Sequence, residues 1–391
     1  MNKFKRKLVF NELLEEPTKK FRNQLITCLE DLSNEIFYEI FDYLNGCEIV
    51  KTFSNLNFRF KQLLYSSSLL IKTHFYLFNY DKMINTSNEL EIFSTEIYLN
   101  LKILSIHCSD NIIFLDAYRW EKLILHYYPQ LEIFYFIYYD HMNNDNQYST
   151  YSYGLNQFSS SFWIQHRWIF NVQIDNTDIK YMIYPYRNTW YNDILEDKNI
   201  QYSTSTSLKL ISFNTLYDDM MINNIKRILV ITQVYHLNIH KIPTSICLLI
   251  RMINILPDLL TLKIYSLLFD GDRGLNMEEF SIFCTKRSRI DAVYVEVLNN
   301  IHCVGILIMV CHYIKHFQVK HIINMNIQMF LQIILKEITH RNNHYLHSLC
   351  FHETAANYQT IEYLQEINKY EQLLVDFTIK RINNNIYLQW K

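Results

Sequence analysis

The sequence predicts an α+β protein in which a short N-terminal helical module precedes a long array of strand-and-helix units interrupted by a β-hairpin. Three observations carry that expectation. Leu32, Ile36, Ile40 and Leu44 recur every four residues; the pattern apolar-x-x-apolar-x-apolar returns from Leu101 to Phe351; and two alternating runs flank turn residues at 175–178. A chain of 391 residues suits one small module followed by one large one.

The first element is read from its stripe. Phe37 and Phe41 lie beside Leu32, Ile36, Ile40 and Leu44, giving a wide apolar face at helical period. Ser33 stands where an N-cap would accept an orphan backbone N–H, Glu35 places a carboxylate in the first turn, and Gly46 suits the left-handed end of a helix. Ile49, Val50, Phe53 and Leu56 repeat the helical spacing, and Phe60, Leu63 and Leu64 form a third set. Three short helices bury too little apolar surface to be stable alone, so the module is expected to need a partner.

The order Leu-x-x-Glu-Ile-x-x-x-Ile-Phe-x-x-Leu over 32–44, with an apolar second helix and Asn-x-x-Phe-x-x-Leu-Leu over 57–64, resembles the F-box family through about the first 65 residues. That resemblance implies docking on the Skp adaptor of a cullin ubiquitin ligase, with Leu32, Ser33, Glu35, Ile36, Ile40 and Leu44 at the contact. Where the family usually has Pro, this chain has Ser33.

Beyond the module, the triplets are Leu101/Leu104/Ile106, Leu131/Phe134/Phe136, Ile225/Ile228/Val230, Leu259/Leu262/Ile264, Ile290/Val293/Val295, Ile314/Phe317/Val319 and Leu346/Leu349/Phe351. The last two residues of each point to one side of a strand, and helical spacing precedes each triplet, as with Trp120, Leu123, Ile124 and Tyr127. One strand and one helix per unit resembles a leucine-rich-repeat solenoid, although the position that should carry Asn or Cys for the turn does not. The expected organisation is a charged tail over 1–24, an F-box over 25–73 and a leucine-rich-repeat-like solenoid over 74–391.

Within that solenoid, 141–222 is read as an insert outside the continuous sheet. Trp168, Phe170, Val172 and Ile174 alternate with other residues, Asp175-Asn176-Thr177-Asp178 supplies a turn, and Ile179, Tyr181 and Ile183 alternate again. The flanks 141–153 and 201–207 are rich in Asn, Ser, Thr and Tyr and read as loops. Residues 377–382 and 386–390 read as a closing hairpin that caps the array.

Strand residues alternating with the buried triplets face out of the core. On that face His107, Tyr135, Lys263, Tyr265, Tyr294, Glu296 and Lys320 are the candidate client-binding residues, since tyrosine brings both apolar area and a hydroxyl to an interface. Lys263 and Lys320 alone do not make the basic stripe that nucleic-acid binding needs.

Composition narrows the remaining classes. Apolar residues make up 49% and the formal net charge is −2, as in a folded protein without a global nucleic-acid signature. The longest apolar run, Cys303–Cys311, is far shorter than the ~20 residues a membrane helix needs. The eight cysteines lack paired spacing and read as reduced thiols. Basic Met1–Lys7 is not followed by an apolar signal region, so the expected location is cytoplasmic or nuclear. His302, Cys303, Cys311, His312 and His316 have the wrong spacing for zinc, and Asp270–Gly274 lacks later ligands of a calcium loop. With no catalytic motif in view, neither catalysis nor a cofactor is expected, and the F-box resemblance implies a substrate-recognition subunit of a ubiquitin ligase. The alternative is an F-box scaffold acting outside ubiquitination.

Overall fold

The computed structural model describes residues 31–44, 52–53, 56–64, 72–77, 102–109, 112–141, 154, 157–175, 178–186, 206–212, 218–268, 288–323, 329–334, 345–352, 362, 366, 378–382 and 385–390. The chain divides into two compact units, Met1–Leu69 and Leu70–Lys391.

In the first unit, α1 (Asn34–Tyr43) and α2 (Phe58–Leu64) enclose an aromatic cluster, and residues 52–53 are also helical. Phe37 meets Phe60 edge-on at 4.7 Å between ring centroids, and Phe41 meets Phe53 at 5.0 Å. Arg59 fastens the start of α1, because its guanidinium donates 2.6 Å to the Leu32 carbonyl and 2.7 Å to Asn34 Oδ1. The Asn57 side chain accepts from the Phe60 N–H at 3.1 Å and so satisfies an orphan donor of α2. Gly46, Ile49 and Val50 lie outside the described residues.

The second unit is one sheet of thirteen strands in the order β1-β2-β3-β5-β4-β6-β7-β8-β9-β10-β11-β13-β12. These are β1 (Lys72–Leu77), β2 (Ile103–Ser109), β3 (Ile133–His141), β4 (Trp168–Asp175), β5 (Asp178–Pro185), β6 (Ser207–Ser212) and β7 (His236–Ser245). There follow β8 (Thr261–Leu268), β9 (Ala292–Leu298), β10 (His316–Ile322), β11 (Ser348–His352), β12 (Thr378–Ile382) and β13 (Asn385–Gln389). Every pairing is parallel except the β3–β5, β4–β5, β11–β13 and β12–β13 pairs. Only β5 and β13 therefore run against the rest.

Helices fill the crossovers that parallel neighbours require. They are α3 (Ala117–Tyr127), α4 (Ser161–Gln165), α5 (Asp218–Ile231), α6 (Ile246–Ile255) and α7 (His302–Val310), and residues 329–334 are helical too. Asp116 accepts from the Arg119 N–H to start α3, and Ser245 accepts from the Leu248 N–H to start α6. Ring contacts place the helices against one face of the sheet. Trp120 packs on Phe134 and Phe136, Trp163 on Trp168, and Phe330 on Phe351. On that face Phe134, Val172, Leu208, Leu237, Leu262 and Leu349 are fully buried.

This architecture is α/β and replaces the α+β arrangement of a three-helix F-box followed by a leucine-rich-repeat-like solenoid with an inserted hairpin. Helices alternate with parallel strands in one mixed sheet, and the described residues of the first unit do not spell out a three-helix bundle. The hairpin at Trp168–Pro185 does form, but it lies inside the sheet, with β5 on β3 and β4 on β6. Residues 207–212, inside the segment read as an insert, supply β6. The triplet Ile225/Ile228/Val230 belongs to α5: Ile225 and Ile228 join Met221 on its buried face at helical period, whereas Val230 turns outward at 39% exposure. The same pattern recurs as Val234/Leu237/Ile239, all buried, which leads into and lies on β7.

Because the hairpin is core, truncating it should destabilise the whole second unit. Ile174 has no exposed surface, so Ile174→Ala should lower stability by about 2–5 kcal/mol. Urea denaturation followed by circular dichroism checks this; a hairpin outside the sheet would leave the midpoint unmoved.

Candidate functional site

The face of the sheet away from the helix contacts carries a different chemistry. Strand register aligns one outward residue from each of twelve strands into a single row. From β2 to β7 it runs Ser109, Tyr139, Lys180, Gln173, Lys209 and Asn238. From β8 to β12 it runs Lys263, Tyr294, Gln318, Cys350, Tyr387 and Lys380. The row contains four lysines and three tyrosines but no carboxylate, so its charge has one sign.

Its centre is the most built part. The Lys263 ammonium lies 4.5 Å from the centroid of the Tyr294 ring, and the Lys180 ammonium lies 5.3 Å from that of Tyr139. Two residues along the strands on the same face, Lys320 donates to the Glu296 carboxylate at 2.9 Å. Burial pushes the Glu296 carboxyl up, but the hydrogen bond and charge of Lys320, with Lys263 and His240 nearby, hold it below its ordinary value. Burial lowers the Lys263 ammonium, and the like charges of Lys320 and Lys209 lower it further against the attraction of Glu296. The Tyr294 phenol is pushed up to about 12, chiefly by burial and then by Glu296.

Strand β7 bends at this place. Its register against β8 shifts between Ile239 and Pro243, and Lys241 takes φ 61°, a left-handed conformation that costs a non-glycine residue strain. Burial, followed by the charges of Lys209 and Lys241, keeps the His240 imidazole below its usual value. Beside it in β7, the Oδ1 of Asn238 is buried without a hydrogen-bond partner.

The residues expected from sequence to bind a client divide into two groups. Lys263, Tyr265, Tyr294, Glu296 and Lys320 come from the adjacent strands β8, β9 and β10. His107 and Tyr135 sit on β2 and β3, with β5, β4, β6 and β7 between them and β8. Sequence reasoning missed Lys180, Lys209, Asn238 and Lys380. Alternation in Ser207-Leu208-Lys209-Leu210 and in Leu237-Asn238-Ile239 was the signal that could have found them.

In the first unit, the stripe of α1 splits. Phe37 and Phe41 turn inward, whereas Ile36 is 42% exposed and Leu32, Ile40 and Leu44 are half-buried. Ser33 holds the N-cap position with an extended backbone but makes no side-chain cap bond. Its hydroxyl instead donates to Glu35, whose carboxyl it lowers, with the Glu35 backbone N–H and the Arg59 charge helping. The expected capping role of Ser33 is therefore not the observed one.

Among the described residues no group of three or more His, Cys, Asp or Glu side chains could hold a metal, and no helix is long and apolar enough to cross a membrane. No family model and no curated protein matches the chain.

A histidine pair lies toward the start of β10 and β11, His316 two residues before Gln318 of the row and His347 three before Cys350. The rings of His316 and His347 are 4.9 Å apart, beside the Lys315–Asp291 pair at 3.5 Å. Burial, then the charges of His347 and Lys315, lowers His316 to about 4. Burial and Lys315 also lower His347, and burial raises the Asp291 carboxyl against the pull of Lys315. A histidine lowered in the folded state binds its proton more readily when unfolded, so its contribution is full above the unfolded value and lost as pH falls through the interval toward 4. For His316 that contribution is on the order of 3 kcal/mol. The urea midpoint should therefore fall on acidification from pH ~7 to ~4.5, and less steeply in His316→Asn; equal slopes would contradict the assignment.

Proposed function

We propose that the chain is a non-catalytic recognition subunit of a Skp–cullin–F-box type ubiquitin ligase, with α1 docking on the Skp adaptor and the polar face of the sheet holding a client protein. The observation that carries this reading is the division of α1 into an inward phenylalanine edge and an outward apolar edge. Phe37 has no exposed surface, while its neighbour Ile36 is 42% exposed in a helix whose residues follow the F-box order. An exposed branched aliphatic flanked by half-buried Leu32, Ile40 and Leu44 supplies the dry centre that a stable interface needs.

The second half of the reading is supported by the tyrosine and lysine content of the sheet's polar face. Tyrosine suits interfaces because its ring supplies area and its hydroxyl a hydrogen bond, and a few central aromatic side chains carry much of the energy. Ubiquitin transfer would be the work of the other subunits. What this chain would contribute is proximity, which converts a bimolecular encounter into an effectively intramolecular one.

Ile36→Asp tests the adaptor contact directly. Its side chain is exposed, so the change should alter folding stability by no more than about 0.5 kcal/mol. Buried at an adaptor interface, the carboxylate would be unpaired and desolvated, costing several kcal/mol (~3 or more). Co-purification of the Skp adaptor from cells should be lost while the melting temperature holds; unchanged co-purification would overturn the reading.

A further inference from the structure

We propose that acidification opens the sheet along the β10–β11 seam, so that β11, β13 and β12 come away together while the strands from β1 to β10 keep their pairing. This device lies in the strands themselves and does not rest on the ligase reading.

The placement of histidine is the first argument. Of the chain's 15 histidines, four straddle this one seam in two ring pairs. His316 and His347 meet at 4.9 Å where the two strands begin, and His321 and His352 meet at 5.9 Å where they end. The ladder between β10 and β11 runs only from His316/Ser348 to Val319/Phe351, whereas that between β10 and β9 continues to Ile322/Leu298. Its first hydrogen bonds lie beside the inner pair, since the Lys315 carbonyl accepts from the His347 and Ser348 N–H groups at 3.2 and 3.1 Å. Histidine is the side chain that ordinarily gains charge between pH ~8 and ~5. Acid therefore sets like charges against each other at both ends of a short ladder.

The surroundings do not offset that repulsion. Asp291 and Glu296 stand on the β9 side of β10, where Lys315 and Lys320 already engage them. The described residues of β10, β11, β13 and β12 include Lys320, Lys380 and Arg381 but no carboxylate. Behind the seam, α7 has His302 and Cys303 as its titratable side chains, and residues 329–334 have none. Cys303 and Cys350 are each raised to about 11 by burial, Cys350 with Tyr387 beside it, and so stay neutral in acid. Tyr313 and Tyr345, edge-on at 4.9 Å near the strand entries, are neutral phenols that add no countercharge.

Linkage gives the direction. Burial, then His347 and Lys315, holds His316 at about 4 in the closed seam, and separation returns it toward the ordinary 6.5. The open form takes up the proton first, so opening becomes easier as pH falls from the ordinary value toward 4. His347, also lowered by burial and by Lys315, acts in the same sense. For His316 alone, the opening constant at pH ~5 is about twentyfold that at pH ~7.

The experiment uses the full chain and hydrogen–deuterium exchange read by mass spectrometry at pH ~7 and ~5, each rate divided by the intrinsic rate at that pH. In acid, exchange in 348–352, 378–382 and 385–389 should rise about twentyfold, while the strands up to β9 hold their protection. His316→Asn/His347→Asn should remove most of that rise. If this variant does not fold, His321→Asn/His352→Asn at the more exposed end should reduce it. An even rise across the second unit, no rise in the terminal strands, or the full rise in whichever variant folds would each overturn the proposal.

Discussion

The second unit depends on how the hairpin β4–β5 joins two runs of parallel strands. Strands β1, β2 and β3 run one way, and the next parallel run starts at β6. A single antiparallel strand would present β6 with a reversed neighbour. Two strands restore the direction, because β5 pairs antiparallel with both β3 and β4, and β4 then pairs parallel with β6. Without the hairpin, the backbone groups along the edges of β3 and β6 would need other partners, and an unpaired edge invites association. Its side chains are committed too, since Val172, Ile174, Ile179 and Tyr181 have no exposed surface.

Much of the strand placement was legible because each strand announces its buried face within a few residues. Phe134 and Phe136, Leu262 and Ile264, and Phe317 and Val319 are buried two apart, as their spacing requires. The arrangement of those strands was less legible. Alternation at 168–174 and 179–183 shows that two strands meet at a turn, but nothing local states which strands lie outside them. The hairpin was thus read correctly as a hairpin and placed wrongly. In the same way, the three-residue step from Ile225 to Ile228 suits a helix as well as the entry to a strand, and only the longer run from Met221 to Ile231 decides for a helix.

The site suffered from those same ambiguities. Lys263, Tyr294, Glu296 and Lys320 could be named because their strands carry a clear triplet. Lys180 and Lys209 could not, since β5 and β6 were assigned to an insert, and Asn238 was missed because β7 was read one element too early. Their inclusion changes the chemistry of the face. Two lysines beside a glutamate make a local ion pair, whereas Lys180, Lys209 and Lys263 stand on alternate strands of one row that holds no carboxylate. Register, which a single sequence does not reveal, turns scattered residues into a surface.

Apolar packing and exposed surface fall to opposite sides of the same elements in each unit. In the first, Phe37 and Phe41 are consumed by the aromatic cluster, while Ile36 remains exposed. In the second, Leu208, Leu237, Leu262 and Val293 lie buried on the helix-packed face at 0–1% exposure, and each adjoins a row residue of the other face. The strand pleat enforces that separation, since neighbouring side chains must point to opposite faces. Changes to the polar row can therefore alter that surface without removing apolar contacts. Glu296 and Lys320 show the limit of that freedom, because removing Glu296 would leave Lys320 and Lys263 as neighbouring like charges. The outward tyrosines are less constrained by charge, but Tyr294 supports the Lys263 ammonium with its ring. The polar face is thus a coupled electrostatic layer laid over an apolar one, and its central residues act as a group.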